Sequence, residues 1–239
     1  MPSHRERVAI ENVTPDVERG RFAVKRIVGD TIVVEADAFT YGHDEIAVRL
    51  DHRRRGKHRW QSTWMRPLAN DRWQGELTAE RIGELRFRVV AWRDPVATWQ
   101  HGIVAKFDAG LDVELEREEG ALLAEAYAKR ARTDDAKALL AWADRLRSLQ
   151  AIDASVRDEL DEFLACTRAV LDPDDGHVYD NTSAIRVERA LAGCAAWYEL
   201  FPRSSSPDPR RPGTLADVTT RLDAIAEMGF DVVYLPPIH

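Results

Sequence analysis

Glu199 is the carboxylate that could most readily be taken for a catalytic residue, because it lies beside aromatic residues in a short strand-like run. A carboxylate can act as a nucleophile or as a general acid and base in sugar transfer, but such chemistry needs two carboxylates close together. No second acidic residue lies near Glu199 in the sequence. We therefore interpret Glu199 as a structural hydrogen-bonding residue, and the sequence gives no catalytic residue.

The histidines do not form a metal-ligand pattern. Five of them stand singly, and loop or surface positions are expected for each: His43, His52, His58, His101 and His177. His239 follows a Pro-Pro pair after an apolar run, where it could line a substrate site. From these residues we predict no bound metal and no cofactor, and we assign no substrate-binding residue.

The strongest run of charge is RRRGKHR at 53–59. A phosphate or nucleic-acid site is one interpretation, and a solvated hairpin loop is the other. The glycine and the strand-like runs on either side favour the hairpin, because no recognised nucleic-acid motif accompanies the charges. The net charge of −7 also argues against a nucleic-acid partner.

Tryptophan is concentrated in the first part of the chain. Five of the seven tryptophans lie there: Trp60, Trp64, Trp73, Trp92 and Trp99. Exposed tryptophans can stack on sugar rings, whereas buried ones fill a core. Core packing is the favoured interpretation, since strand tryptophans commonly face inward in small sandwiches.

The elements that would position these residues fall into three regions. Residues 1–110 contain short runs rich in β-branched and aromatic residues, such as LRFRVVAW at 85–92, with the alternation typical of half-buried strands. Turn residues separate these runs, which predicts an antiparallel, Ig-like β-sandwich. Residues 111–188 carry apolar residues at helical spacing, which predicts a helical insert of two or three amphipathic helices and a linker.

Residues 189–239 predict a strand, a helix and a second strand. Residues 197–204 are expected to form a strand that runs into a loop, residues 214–228 a helix, and residues 230–235 the second strand. Thr214 and Asp217 form a capping signal, and Gly229 supplies a left-handed stop. This order gives one right-handed parallel crossover, which we interpret as the start of a (β/α)8 barrel, truncated after its second strand.

Composition limits the class of protein. Hydrophobic residues make up 44% and charged residues 31% of the 239 residues, values typical of a soluble globular protein. No apolar run approaches the ~20 residues of a membrane span, and no secretory signal is visible, so a cytoplasmic protein without a membrane partner is expected. Cys166 and Cys194 are predicted to be reduced and packed.

Two motifs carry a resemblance to a known family. WYELFPRS at 197–204 and GFDVVYLPPIH at 229–239 resemble the first and second barrel strands of the α-amylase superfamily, and within it the maltosyltransferases that use α-maltose 1-phosphate to extend α-1,4-glucans. Further segments are similar to the N-terminal sandwich of that family, including IENVTP at 10–15 and NDRW at 70–73.

The resemblance implies an N-terminal sandwich, a helical insert associated with homodimer formation, and the barrel. It implies transfer of maltosyl units with retention, from α-maltose 1-phosphate to the non-reducing end of α-1,4-glucans, with release of phosphate. The catalytic residues of the family follow later strands, so this chain alone is expected to be inactive. Two alternatives remain: a non-catalytic glucan-binding or dimerisation module, and a glucan hydrolase of the same superfamily.

Overall fold

We describe a computed structural model that covers residues 8–149, 154–171, 176–179 and 183–238. The chain divides into two compact units. The first unit consists of the chain up to Val24 together with Thr31–Leu77 and Leu85–Ile185, and the second of Lys25–Asp30, Thr78–Glu84 and the chain from Arg186 onward.

Strands dominate the first half of the chain. They are β1 (Val8–Thr14), β2 (Val24–Ile27), β3 (Thr31–Thr40), β4 (Ile46–Arg54), β5 (Gln61–Trp64), β6 (Arg66–Pro67), β7 (Arg72–Thr78), β8 (Gly83–Arg93), β9 (His177–Val178), β10 (Ser183–Glu188), β11 (Trp197–Glu199) and β12 (Val232–Tyr234). The helices are α1 (Pro95–Asp108), α2 (Glu114–Ala128), α3 (Thr133–Ser148), α4 (Ala154–Ala169), α5 (Leu215–Thr219) and α6 (Leu222–Glu227).

Antiparallel sheets form the strand part of the first unit. One sheet has the order β1-β3-β7-β6, and in another β5, β4 and β8 lie side by side, with β9 also paired to β8. In β3 the buried residues Ile32, Val34, Ala36 and Ala38 alternate with more exposed ones. This alternation is the result of burying one face of each strand, and the arrangement is consistent with a β-sandwich.

A cluster of polar side chains ties β1, β3 and β7 together. The Arg72 guanidinium donates to Glu35 at 3.1 Å and to Asp37 at 2.9 Å, and it also donates to the carbonyl of Asn12. Arg72 holds the pKa of the Glu35 carboxyl below its usual value, and the Asn12 amide followed by Arg72 does the same for Asp37. Both groups are therefore carboxylates at neutral pH.

Asp51 is a fully buried carboxylate on β4. It accepts hydrogen bonds from Arg49 at 2.8 Å, from Arg88 at 3.0 Å and from the Ser62 hydroxyl at 2.7 Å. A buried charge is tolerated only when it is paired and its hydrogen bonds are satisfied. These three donors from β4, β8 and β5 therefore hold the three neighbouring strands in one register.

The first helix, α1, begins directly after β8. The Asp94 carboxylate caps α1 by accepting from the Ala97 amide at 3.0 Å, and Pro95 occupies the first helical position. Asp followed by Pro is a helix-start signal, so α1 occupies Pro95–Asp108 within the region where only strands were predicted. Trp99 consequently lies on a helix.

Helices α1 to α4 share one apolar core. Its fully buried members include Ile103, Leu139, Leu146, Leu160 and Phe163. Trp99 joins this core, packs edge-on against Phe163 with ring centroids 5.9 Å apart, and donates its indole N–H to the Glu116 carbonyl at 2.6 Å. Three helices, α2 to α4, lie in the segment where two or three were predicted.

The second unit is built from segments far apart in the chain. Its early segments contact each other through the Ala79 amide, which donates to the Asp30 carbonyl at 2.9 Å. The Val28 amide donates to the Glu188 carbonyl at 3.0 Å, so β2 and β10 lie side by side. β10 lies in the segment that was predicted to be a linker. Among the described ranges, no helix is long and apolar enough to cross a membrane.

Gly120 on α2 generates a stability prediction. A Cβ at this position would lie 2.6 Å from Cε2 of the Trp99 ring, which is buried and hydrogen-bonded. Gly120→Ala should therefore destabilise the chain by about 1–3 kcal/mol despite the better helix propensity of alanine. Urea unfolding is the measurement. The matched control is Gly102→Ala on α1, where a Cβ meets nothing within 4 Å and stability should rise by about 0.5–1 kcal/mol. Equal effects at both positions would contradict the packing argument.

Candidate functional site

A parallel strand pair lies in the second unit. β11 and β12 align Trp197 with Val232 and Glu199 with Tyr234, and the Leu200 amide continues the ladder by donating to the Tyr234 carbonyl at 3.2 Å. Parallel strands need a crossover connection, which is supplied here by α5 and α6. The predicted strand, helix and strand are present, although the helix is divided at Thr220 and Arg221.

A small apolar core fixes the crossover to the strands. Leu200, Val218 and Ile225 are buried, and Tyr198 and Phe230 pack against them with their rings edge to face at 5.1 Å. The chain reverses after α6 at Gly229, whose φ of +87° is the left-handed conformation that favours glycine. This is the glycine stop predicted from the sequence.

The loop from β11 to α5 leaves the carboxyl end of β11. It forms a 3-10 turn at Pro202–Ser204, and the Gly213 amide then donates to the Arg203 carbonyl at 2.8 Å. A Cβ on Gly213 would lie 2.6 Å from the backbone nitrogen of Ser206. Glycine is therefore required here because the two ends of the loop meet backbone to backbone.

Asp217 organises the start of α5. Its carboxylate accepts hydrogen bonds from the two terminal nitrogens, Nη1 and Nη2, of Arg211 at 2.8 Å and from the Thr214 amide at 2.7 Å. The Thr214 hydroxyl in turn accepts from the Asp217 amide. This is the capping box predicted from the sequence. The Arg211 guanidinium, followed by the Thr214 amide and hydroxyl, holds the pKa of Asp217 well below its usual range.

Glu199 is exposed, and in the part of the chain that the structure describes its carboxylate makes no hydrogen bond. The structural role predicted for it therefore stays a prediction. Trp197, Phe201 and Tyr234 beside it are also exposed, with 61%, 58% and 45% of their surfaces accessible. The strand pair thus presents aromatic surface together with one carboxylate, and no second carboxylate is paired with it. His239 lies outside the described residues.

The remaining candidate residues lie far from this strand pair in sequence. His43 and His58 are in exposed loops, whereas His52 and His177 are on strands and His101 is on α1. No group of three or more potential metal ligands occurs among the residues whose placement is described. The Cys166 thiol is partly buried, but Cys194 is exposed, so the packing predicted for it is wrong.

The tryptophans divide between core and surface. Trp92 and Trp99 are buried, as core packing requires. Trp73 is half-buried and donates its indole N–H to the Ala38 carbonyl at 3.1 Å. Trp60 is also half-buried, whereas Trp64 is exposed over about a third of its surface and packs edge-on against Trp92.

The basic run forms the predicted hairpin. β4 and β5 pair antiparallel, and Gly56 turns the chain between them with φ +81°. Sequence reasoning missed Arg86, which the register of β4 and β8 places opposite Arg53. The alternation of apolar and polar residues along β8 indicates the sheet face on which Arg86 lies. Its neighbour on β4 could not be predicted, because the two strands are distant in sequence and their register is needed.

Comparison with known proteins places the chain in a family. Residues 6–189 match the family model described as alpha-1,4-glucan:maltose-1-phosphate maltosyltransferase, domain N/S. The chain therefore belongs to the alpha-1,4-glucan:maltose-1-phosphate maltosyltransferase family. The matched region contains both units in part, including all of the helices from α1 to α4.

Curated relatives carry the same name. The chain is 41% identical to the alpha-1,4-glucan:maltose-1-phosphate maltosyltransferase of Chlorobaculum tepidum over 236 residues, which is 98% of this chain and 35% of that protein. It is 39% identical to the protein of that name from Burkholderia pseudomallei, covering 98% of this chain and 21% of that protein. The Myxococcus xanthus protein is 39% identical over 97% of this chain and 36% of its own length. The chain spans about a third or less of these relatives.

Asp217 generates a prediction about pH. Its folded pKa lies below the unfolded value of about 3.9, so its stabilising charge is present above that value and is lost as pH falls towards the folded pKa. Amide protection factors of α5, measured by hydrogen exchange, should be constant from pH 7 to 5 and fall below about pH 4. Asp217→Asn should lower protection already at pH 7, whereas Asp223→Asn, in the first turn of α6, should not. Equal losses in both variants would rule out a specific role for the cap.

Proposed function

We propose that this chain is the N-terminal part of a retaining glycosyltransferase that transfers maltosyl units from α-maltose 1-phosphate to the non-reducing end of α-1,4-glucans and releases phosphate. The observation that carries the proposal is the match along nearly the whole chain to relatives named for this activity. α-Maltose 1-phosphate and α-1,4-glucan are then substrates of the whole protein. Cytoplasmic location stays a prediction.

The proposed architecture has three parts. Residues 1–110 would form an Ig-like sandwich domain, residues 111–188 a helical insert and linker, and residues 189–239 the start of a (β/α)8 barrel of the α-amylase type. The parallel pairing of β11 and β12 through a helical crossover supports the third part. The exposed Trp197, Phe201 and Tyr234 support it too, because neighbouring barrel strands would cover such surface.

The proposed chemistry requires residues outside this chain. Retaining transfer uses a carboxylate nucleophile and a carboxylic acid/base about 5 Å apart. Glu199 is the carboxylate at the end of β11, and among the described residues it has no carboxylate partner. In this proposal residues 189–239 begin the barrel. Both catalytic carboxylates would come from the part of the relatives that this chain does not span.

An activity assay tests the proposal. The 239-residue chain and the full-length protein are each incubated with α-maltose 1-phosphate and maltohexaose, and phosphate release and glucan length are measured. We expect no phosphate from the chain alone, and from the full-length protein phosphate together with glucans lengthened by two glucose units. Phosphate release by the chain alone would refute the assignment of both carboxylates to the remainder. Maltose formation without longer glucans would identify a hydrolase.

We also infer that the helical insert forms a homodimer contact. Leu115 and Leu122 are exposed on α2 over 75% and 54% of their surfaces, and their seven-residue spacing puts them on one helix face. Leu140 on α3 is exposed as well. Arg147 donates at 2.8 Å to both Glu118 and Glu125, which fixes α3 against α2 and makes a rigid surface for a second copy.

Sedimentation equilibrium tests the dimer. The wild-type chain should dimerise with concentration, and Leu115→Gln combined with Leu122→Gln should weaken the dimer at least tenfold, because each leucine would bury apolar surface there. Leu191→Gln is the control, since Leu191 is exposed on a different unit. A dimer unchanged by the α2 substitutions would place the contact elsewhere, and a monomer at all concentrations would remove the proposal.

A further inference from the structure

A groove of about 580 Å³ lies in the first unit, between α1, α4 and the loop before β4. Six of its lining residues are on α1, at positions 97, 100, 101, 104, 105 and 108, which is the spacing of one helix face. Arg157 and Asp161 line it from α4, and Glu45 lines it from the loop. Sites that enclose small ligands measure ~300–1,000 Å³, so this groove is large enough for one.

Two polar contacts join α1 to α4 across the groove. The Gln100 amide donates to the Asp161 carboxylate at 2.6 Å, and the Arg157 guanidinium donates to the Asp108 carboxylate. Gln100 and Asp108 are eight positions apart on α1, which is about 12 Å along the helix. The groove therefore has polar side chains at both of its ends.

Hydrogen bonds hold Glu45 in place beside α1. Its amide donates to the Thr98 hydroxyl at 2.8 Å, and its carbonyl accepts from the Asp94 amide at 2.8 Å. Its carboxylate lies 3.2 Å from Nδ1 of His101. Because these contacts fix the backbone of Glu45 before a ligand arrives, binding requires little reordering of this wall.

Small apolar side chains lie between these polar groups. Ala97 and Ala105 each contribute a single methyl group, and Val104 packs against the core that the helices share. A larger side chain at position 105 would occupy the groove. The lining therefore offers apolar surface to the C–H groups of a ligand as well as polar groups at its edges.

Hydrogen-bond acceptors outnumber donors in the lining. An ionised carboxylate has about four acceptor sites. In the described part of the chain, the carboxylates of Glu45, Asp108 and Asp161 each contact a single partner side chain. Most of their acceptor sites are therefore available, and a matching ligand carries several O–H or N–H donors.

We propose that this groove binds glucose units of an α-1,4-glucan through their hydroxyl groups. Each hydroxyl donates one hydrogen bond to a carboxylate and can accept another from Gln100, His101 or Arg157. The C–H groups of the sugar ring lie against Ala97 and Ala105. The choice of α-1,4-glucan among sugars rests on the proposed function, in which this glucan is the acceptor.

An organic cation fits the groove less well. Arg157 places a positive charge at one end, and His101 gains one on protonation beside Glu45. Across the described ranges, no three potential ligand side chains lie close enough to hold a metal ion. A neutral sugar uses the same acceptors without repulsion from Arg157 or His101.

Titration calorimetry of the 239-residue chain with maltohexaose tests the groove. Ala105→Phe should weaken binding roughly tenfold or more because the ring fills the groove, and Asp161→Ala should do the same because it removes a charged acceptor of sugar hydroxyls. The matched control is Ala138→Phe, at an exposed alanine on α3, which should leave the affinity unchanged. Spermidine at the same ionic strength is the competing probe and should bind more weakly than maltohexaose.

Thermal unfolding separates binding from folding. Ala105 and Ala138 are both exposed on helices, so the two phenylalanine variants should have the same Tm without sugar. Maltohexaose should raise the Tm of the wild type and of Ala138→Phe, but not that of Ala105→Phe. The proposal is overturned by an equal effect of all three substitutions, by no maltohexaose binding at millimolar concentration, or by spermidine that binds more tightly than maltohexaose.

Calorimetry detects binding without phosphate release, so failure of the groove is distinguishable from failure of the proposed reaction. A full-length protein that lengthens no glucan would refute the reaction, while maltohexaose binding by the chain would still support the groove. An active full-length protein together with a chain that binds no maltohexaose would refute the groove alone.

Discussion

The carboxylate of Asp94 is the contact on which the first unit depends, because it joins the sheets to the helices. It is 2% exposed, caps α1 through the Ala97 amide, and accepts from Arg168 of α4 at 2.8 Å. Its own amide donates to the Glu45 carbonyl at 2.8 Å, just before β4. One buried charge therefore fixes the end of β8, the start of α1 and the position of α4 against them. Loss of Arg168 would leave this charge buried without its partner, a change that is usually strongly destabilising.

Tyr127 also lies near the buried Asp94 carboxylate. Burial, with a smaller contribution from the negative charge of Asp94, raises the pKa of Tyr127 to about 12, so this phenol is neutral throughout the physiological range. Arg168 lies 5.7 Å from the centre of the Trp64 ring, which extends the contact to the face of β5. The same rule governs Asp51 and Arg72: Arg88 of β8 pairs with the Asp51 carboxylate of β4, and Asp37 of β3 pairs with the Arg72 guanidinium of β7.

Local signals predicted much of the second unit, and pairings between distant segments explain most of what sequence reasoning missed. Thr214, Asp217 and Gly229 act within a few residues of one another, so the cap and the stop of the crossover could be derived from sequence. The signal for the start of α1, Asp94 followed by Pro95, is also local, but the surrounding tryptophans and β-branched residues favoured a strand. The partner of Arg53 could not be derived, because it depends on the register of β4 and β8. A pair of catalytic carboxylates could not be predicted around Glu199, because no second acidic residue lies near it in the sequence.

The discontinuity of the second unit has a consequence for the order in which the chain folds. Its first segment ends at Asp30 and its last begins at Arg186, so the unit cannot close until the ribosome has made almost the whole of the first unit. The elements that contact Asp94, from β4 to α4, end at Ala169, before the last segment of the second unit begins. Contacts between distant segments form slowly, because the entropy of closing the intervening chain opposes them. During synthesis Lys25–Asp30 and Thr78–Glu84 must therefore wait for the segment from Arg186 onward before the second unit can form.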